Sequence, residues 1–371
     1  MQTKKRDLVL DVLKGLGCLL MVVAHSNLGL RGYKPYAFYA GLAPVLFYAV
    51  SGVTASFQAT KYRPRSVLLT YAFLFLLGFS YNRITDAGFL EEINFDIVQI
   101  IAVGACIVYL LEYYFKPSSW VYLLLSGLTF ALKFPISALT GGKIVFGVTG
   151  IIVTPGLFPI FPWLFLFFLG VFAYRTKNLY NLFFALVAAG LYYLLPMWGI
   201  DLDVENKWDM SVGYFLLSCI LVFASFFLVR AIPFFHQRVG MGLPIFLGRN
   251  SLLFLYIHFP LVLYLKSQKI HHKELVINRN PYLFWVLILT LTVLLMLIIL
   301  WGAKWKWVSN PFDYLIAWII LIILVFAVGL FVPNVEFVYW IEIGLGIIFA
   351  VFYPSLTRLL KKPIDSLVAQ A

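Results

Sequence analysis

The chain has 371 residues, of which 63% are apolar, 18% aromatic and only 12% charged, with a formal net charge of +12 at pH 7. Soluble domains average about 45–50% apolar and about 25% charged residues. With a mean hydropathy of +0.94, the composition excludes an ordinary soluble protein and predicts an integral membrane one.

An α-helix needs about 17–25 apolar residues to cross the hydrocarbon core. Runs of that kind are expected near 7–27, 36–58, 66–82, 97–115, 118–133, 157–174, 179–199, 212–232, 245–265, 282–302, 312–332 and 337–357. The predicted fold is all-α, a polytopic transmembrane helical bundle of about 10–12 spans in a single domain over 1–371, without a soluble domain. The first run is expected to stay as an anchor, because it outlasts a signal-peptide h-region and lacks a small-residue cleavage site. The segment 134–156, FPISALTGGKIVFGVTGIIVTPG, is broken by Gly and Pro and reads as a re-entrant hairpin, a short extra span or an outer loop. An extra crossing there would invert every later assignment.

With the N-terminus in the cytoplasm, most of the 28 Lys and Arg fall in inside loops, among them Lys4, Lys5, Arg6, Lys61, Arg63, Arg65, Arg230, Arg249, Lys361 and Lys362. The outer loops hold most of the acids, in DAGFLEEINFD and DLDVENKWD. The basic balance therefore marks a membrane face, and no nucleic acid is needed to explain it. Cys18, Cys106 and Cys219 have no disulfide or metal-ligand spacing and are expected as small core residues. His236, His271 and His272 fall in loops without acids or cysteines at ligand spacing, so no metal site is expected. Trp301, Trp305 and Trp307 beside Lys304 and Lys306 read as an interfacial aromatic belt.

The first run, DLVLDVLKGLGCLLMVVAHSN, carries Asp11, Lys14 and His25. At about 100° per residue the three share one face, a charged stripe about 16 Å long from Lys14 to His25. Ionisable groups inside a bilayer are expensive and are functional candidates by default, so the stripe is expected to line an enclosed cavity. A plain reading stays open beside this one: Asp11 and Lys14, three residues apart, can pair near the interface and serve packing alone. His258, two residues before Pro260, either belongs to a site or bonds a carbonyl freed by the proline. Arg83, Asp96 and Gln99 either shape an acceptor entrance or cap their helices. Glu342 in the last span is expected to pair with another helix, its partner unnamed.

The blocks LDVLKGLGCLLMVVAH, FYAVSG at 47–52 and KYRPR at 61–65 resemble the start of the acyltransferase-3 superfamily. FDIVQIIAVGACIVYLL at 95–111, FPIFPWLFLFFLGVFAYR at 158–175 and LGRNSLLFLYIHFP at 247–260 resemble the heparan-alpha-glucosaminide N-acetyltransferase family, including its bacterial members. Together the blocks cover roughly residues 5–265, leaving 266–371 as additional transmembrane helices. The resemblance implies a membrane enzyme that takes an acyl group, usually acetyl, from cytoplasmic acyl-CoA and passes it to a sugar on the far side, in a bacterial cytoplasmic membrane.

Acetyl-CoA is then the acyl donor, with no metal. The expected partners are a glycan or lipid-linked sugar acceptor and membrane lipids, with a homo-oligomer left open. Lys14, Arg63, Arg65 and Arg249 are candidates for the donor's phosphates. His25 suits a general base, and Asp11, Asn250 and His258 stand with it among the catalytic candidates. Asn250, Ser51, Trp163 and His258 are possible oxyanion donors, and Ser51, Gln99 and Trp163 are candidates for substrate contact. Direct transfer and an acyl-histidine intermediate both remain open. Where acyltransferase-3 proteins carry Arg eleven residues before the His, this chain has Lys14, which keeps the charge and loses the bidentate fork. The alternative is a proton-coupled transporter relaying through Asp11, Lys14, His25 and His258; against it, no internal repeat is visible.

Overall fold

The computed structural model describes residues 7–25, 41–85, 95–140, 149–153, 157–204, 207–232, 242–267, 281–332 and 335–360. The helices are α1 (Leu8–His25), α2 (Ala43–Ala59), α3 (Pro64–Thr85), α4 (Ile97–Phe115), α5 (Ser119–Thr140), the short α6 (Thr149–Ile152), α7 (Ile160–Arg175) and α8 (Asn178–Leu194). They continue with α9 (Val212–Ala231), α10 (Gly242–Arg249), α11 (Ser251–Ser267), α12 (Pro281–Gly302), the short α13 (Lys306–Ser309), α14 (Leu315–Phe331) and α15 (Val335–Leu360). Among the described residues eight helices are long and apolar enough to span a membrane, and two bent pairs, α10–α11 and the α13 region with α14, raise the number to ten if each pair is one span. The chain is an all-α, multi-pass membrane bundle.

The core is built on α2 and α7, buried along most of their lengths. Their backbones touch because each offers a glycine to the other. A Cβ on Gly52 would lie 2.2 Å from the Phe167 carbonyl oxygen, and one on Gly170 would lie 2.1 Å from that of Ala49. Around this pair, α1, α4 and α5 pack inward, α3 packs on α4, and α15 packs on α3. By contrast α8, α12 and α14 present Leu, Ile, Val and aromatic side chains outward, as lipid-facing helices do.

Polar contacts sort the helix ends into two layers. At the N-terminal end, the Tyr174 hydroxyl donates to Asp7 Oδ2 at 2.5 Å, Arg230 donates to the Tyr174 carbonyl, and Arg175 pairs with Glu112 at 2.9 Å. At the far end, the Tyr214 hydroxyl donates to the Gly41 carbonyl at 2.8 Å and Lys133 pairs with Asp209 at 3.3 Å. The helices on either side of 134–156 meet that same far end: Lys133 of α5 touches Asp209, and Phe158, before α7, packs its ring 5.5 Å from that of Trp208. The segment between them thus adds no net crossing. Only part of it falls among the described residues; 141–148 and 154–156 lie outside them, as do His236, His271 and His272.

Candidate active site

Site geometry begins where α1 crosses α10. A Cβ on Gly248 would stand 1.8 Å from the Asp11 carbonyl oxygen, and one on Gly15 would stand 2.0 Å from that of Pro244, so only glycines let these backbones touch. That contact sets Arg249 Nε 3.0 Å from Asp11 Oδ2. The Asp11 carboxylate is buried and the guanidinium partly exposed, so Asp11 is answered from across the bundle, and its charge is spent in fixing α10 to α1.

At Asn250 the chain turns by 93° into α11. The Asn250 amide nitrogen donates to the Phe246 carbonyl at 2.9 Å, satisfying one of the carbonyls that a helix end leaves open. Past this turn α11 runs beside α1, and the two present facing histidines. His25 Nδ1 lies 2.8 Å from His258 Nε2, and His258 Nδ1 lies 2.8 Å from the Phe254 carbonyl oxygen. That carbonyl belongs to the residue one turn earlier, not to Tyr256, whose carbonyl is the one Pro260 frees.

The directions of these bonds follow from the carbonyl. A carbonyl only accepts, so His258 Nδ1 carries the proton and Nε2 of the neutral ring is an acceptor. His25 must then donate from Nδ1, which leaves its Nε2 as the lone-pair nitrogen. Phe254 stacks on His258 with ring centroids 4.6 Å apart, and Phe259 meets His25 edge-on at 4.8 Å, holding both rings in place.

Below the histidines lies a cavity of about 450 Å³, walled by α1 to α4, the α10–α11 turn and α15. Its lower part is polar, with Lys14, Gln58, Arg249, Asn250 and Thr357. Its upper part is apolar, with Met21, Phe47, Ile97 and Leu255. Met21 is four residues before His25 and Leu255 three before His258, so the paired imidazoles stand about one helical turn, ~5 Å, beyond the apolar end. Ser51 also lines the cavity.

Other sequence candidates lie elsewhere. Gln99 is buried in a capping box: its amide oxygen accepts from the Asp96 backbone at 3.0 Å and from Asn82 at 2.9 Å. Trp163 is fully buried in an aromatic cluster with Tyr48, Phe158 and Tyr214, outside the cavity wall. Arg63, on the turn between α2 and α3, and Arg65, in the first turn of α3, are exposed just beyond Gln58 at the cavity's polar end. Sequence reasoning missed Thr54, Gln58 and Tyr71, and above all Tyr353 and Thr357 of the last helix. Their i, i+4 spacing on α15 was the available signal. Among the described residues no three His, Cys, Asp or Glu come together as a metal site would require.

Residues 6–189, just under half the chain, match the family model described as heparan-alpha-glucosaminide N-acetyltransferase, catalytic. Comparison with curated proteins and with solved structures gives no match. The family match supports a membrane acetyltransferase; it ends within α8 and leaves α9 to α15 without counterpart.

Proposed function

We propose that the protein is a membrane acyltransferase that takes an acyl group, acetyl in the first instance, from acyl-CoA at the N-terminal face and delivers it to a sugar amine or hydroxyl at the far face. The observation that carries this reading is the His25–His258 hydrogen bond set one turn beyond a cavity that is cationic below and apolar above. A nucleotide thioester matches that polarity. Its phosphates suit Lys14 at the cavity's lower end and Arg63 and Arg65 at its rim, while its pantetheine arm suits the apolar part. Arg249, paired with Asp11, contributes to the wall more than to the charge.

In direct transfer the acceptor's lone pair attacks the thioester carbon as His25 Nε2 removes the acceptor's proton. The charge that appears on His25 is shared with His258 through the Nδ1–H bond. The C–S bond then breaks, and the CoA thiolate leaves and takes up a proton. With the N-terminus in the cytoplasm, donor and acceptor approach from opposite sides of a bacterial cytoplasmic membrane, and the donor never crosses completely.

The test is acetyl-CoA binding and thioester turnover by purified protein in detergent. The reading expects saturable binding in both the parent and His25→Ala, with turnover lost in the variant. Absence of binding by folded protein would overturn it.

A further inference from the structure

The far end of the bundle holds a second group of buried polar side chains that the reaction above does not use. Glu342 on α15 is fully buried, and neither carboxylate oxygen has a hydrogen-bond partner among the described residues. One turn earlier, on the same face of α15, the Tyr339 hydroxyl is also buried without a partner among them. Opposite stands Arg83 of α3, which donates to the Gly329 carbonyl of α14. Gly329 lets these groups converge: a Cβ there would sit 3.4 Å from Arg83 Nε and 3.6 Å from Glu342 Oε1.

Arg83 supplies the opposite charge without bonding the carboxylate oxygens. A carboxylate only accepts, and burying one without donors is costly. The arrangement suits a ligand that brings hydrogen-bond donors with it. The Tyr256 ring packs on α15 at Gly346, one turn beyond Glu342, where a Cβ would lie 2.0 Å from it, and from Tyr256 a row of rings leads towards the reacting imidazole. Tyr81 lies 5.6 Å from Tyr256 and 5.9 Å from Phe259, and Phe259 lies 4.8 Å from His25.

We propose that Glu342, Tyr339 and Arg83 form an acceptor subsite for a sugar unit carrying neighbouring hydroxyl or ammonium groups. The carboxylate accepts two donors from the ligand, and the Tyr339 hydroxyl makes a third contact. The identity of the ligand as acceptor rests on the acyltransferase reading; the binding itself needs no acyl donor. The subsite is built by α14 and α15 together with α3, so the last hundred residues supply part of the recognition surface beyond the family-matched segment.

The full chain in detergent is titrated with methyl α-D-glucosaminide and with methyl α-D-glucoside, in the absence of acetyl-CoA. The parent is expected to bind at least one of them. Tyr339→Phe, which removes only an unpartnered hydroxyl, should weaken binding about 3- to 10-fold, and Glu342→Gln about 10- to 100-fold. Acetyl-CoA affinity should stay as in the parent, and the Tm of Glu342→Gln should hold or rise, since the lost charge had no donor. Binding of neither sugar by the parent, or equal binding by parent and both variants, would overturn the subsite. A fall in Tm for Glu342→Gln with sugar binding kept would make Glu342 a structural partner of Arg83 and overturn it too. Sugar binding that depends on Glu342 in a protein unable to bind acetyl-CoA would keep the subsite and remove the acyltransferase reading.

Discussion

His25 and His258 are 233 residues apart in sequence, yet their ring nitrogens meet at 2.8 Å with the ring planes only 8° from parallel. The Phe254 carbonyl fixes the tautomer of His258, and His258 fixes that of His25. His258 is therefore a positioning residue, acting on the reaction through the orientation and tautomer of its neighbour.

Replacing His258 with Phe should leave acetyl-CoA affinity unchanged and lower turnover about 10- to 100-fold, below the 10²–10⁴ typical of a general base itself. Gln can still accept from His25, so His258→Gln should recover part of the rate. A purely packing role predicts the reverse order, with the bulkier Phe tolerated and Gln harmful. Steady-state kcat for the two variants decides between them.

The Asp11–Arg249 pair fastens α1 to α10. Asp11→Ala removes the buried partner and should cost about 2 kcal/mol; the figure sits below the 3–5 kcal/mol of a fully buried pair because the arginine is partly exposed. Asp11→Ala with Arg249→Ala together should cost less than the two single changes added. Thermal unfolding in one detergent, run as a double-mutant cycle, measures the difference.

Lys14 is the cation on the α1 wall of the cavity. Lys14→Ala should weaken acetyl-CoA binding about 10- to 100-fold, the range of a hydrogen bond to a charged group. Lys14→Arg should keep most of the affinity, and the salt dependence of binding should flatten in the Ala variant. Thr357→Val, on the opposite wall, should show a smaller loss in the same titration.

Lys207 lies outside the spans, half-buried with its ammonium 4.0 Å over the Trp208 ring. Burial pulls its pKa down to about 8, against a smaller upward pull from Asp96. An unfolded lysine titrates near 10.4, so between about pH 8 and pH 10 the unfolded chain holds the proton that the folded one has lost. Stability in that window rises with pH from this group, while below it the penalty is constant. The Tm difference between the parent and Lys207→Met should therefore favour Met most below pH 8 and shrink towards pH 10. A difference independent of pH would contradict the assignment.

Much of the fold was legible because spans are long and apolar: the expected runs near 97–115, 212–232 and 282–302 fall almost on α4, α9 and α12. Of the α1 stripe, Lys14 lines the cavity as its face suggests, whereas Asp11 turns its carboxylate to Arg249 and His25 meets His258 beyond the cavity's end. The pairings were not legible. Nothing local joins Asp11 to Arg249, or His25 to His258, because those contacts depend on a glycine crossing and on a 93° turn at Asn250. Gln99 read either as a site residue or as a helix cap, and the cap is what forms, its partner being the backbone three residues earlier. Glu342 had no nameable partner in sequence; Arg83 reaches it only across the bare backbone of Gly329.

The most direct test of the account is transfer across a membrane. Protein in sealed proteoliposomes, oriented with its N-terminal face outward, is given acetyl-labelled CoA outside and methyl α-D-glucosaminide trapped inside. The account predicts labelled sugar inside, none with His25→Ala, and none when the donor is trapped with the sugar. Sugar that leaves or enters the vesicles unacetylated, at the same rate with and without acetyl-CoA, would contradict it and make the cavity a carrier's path.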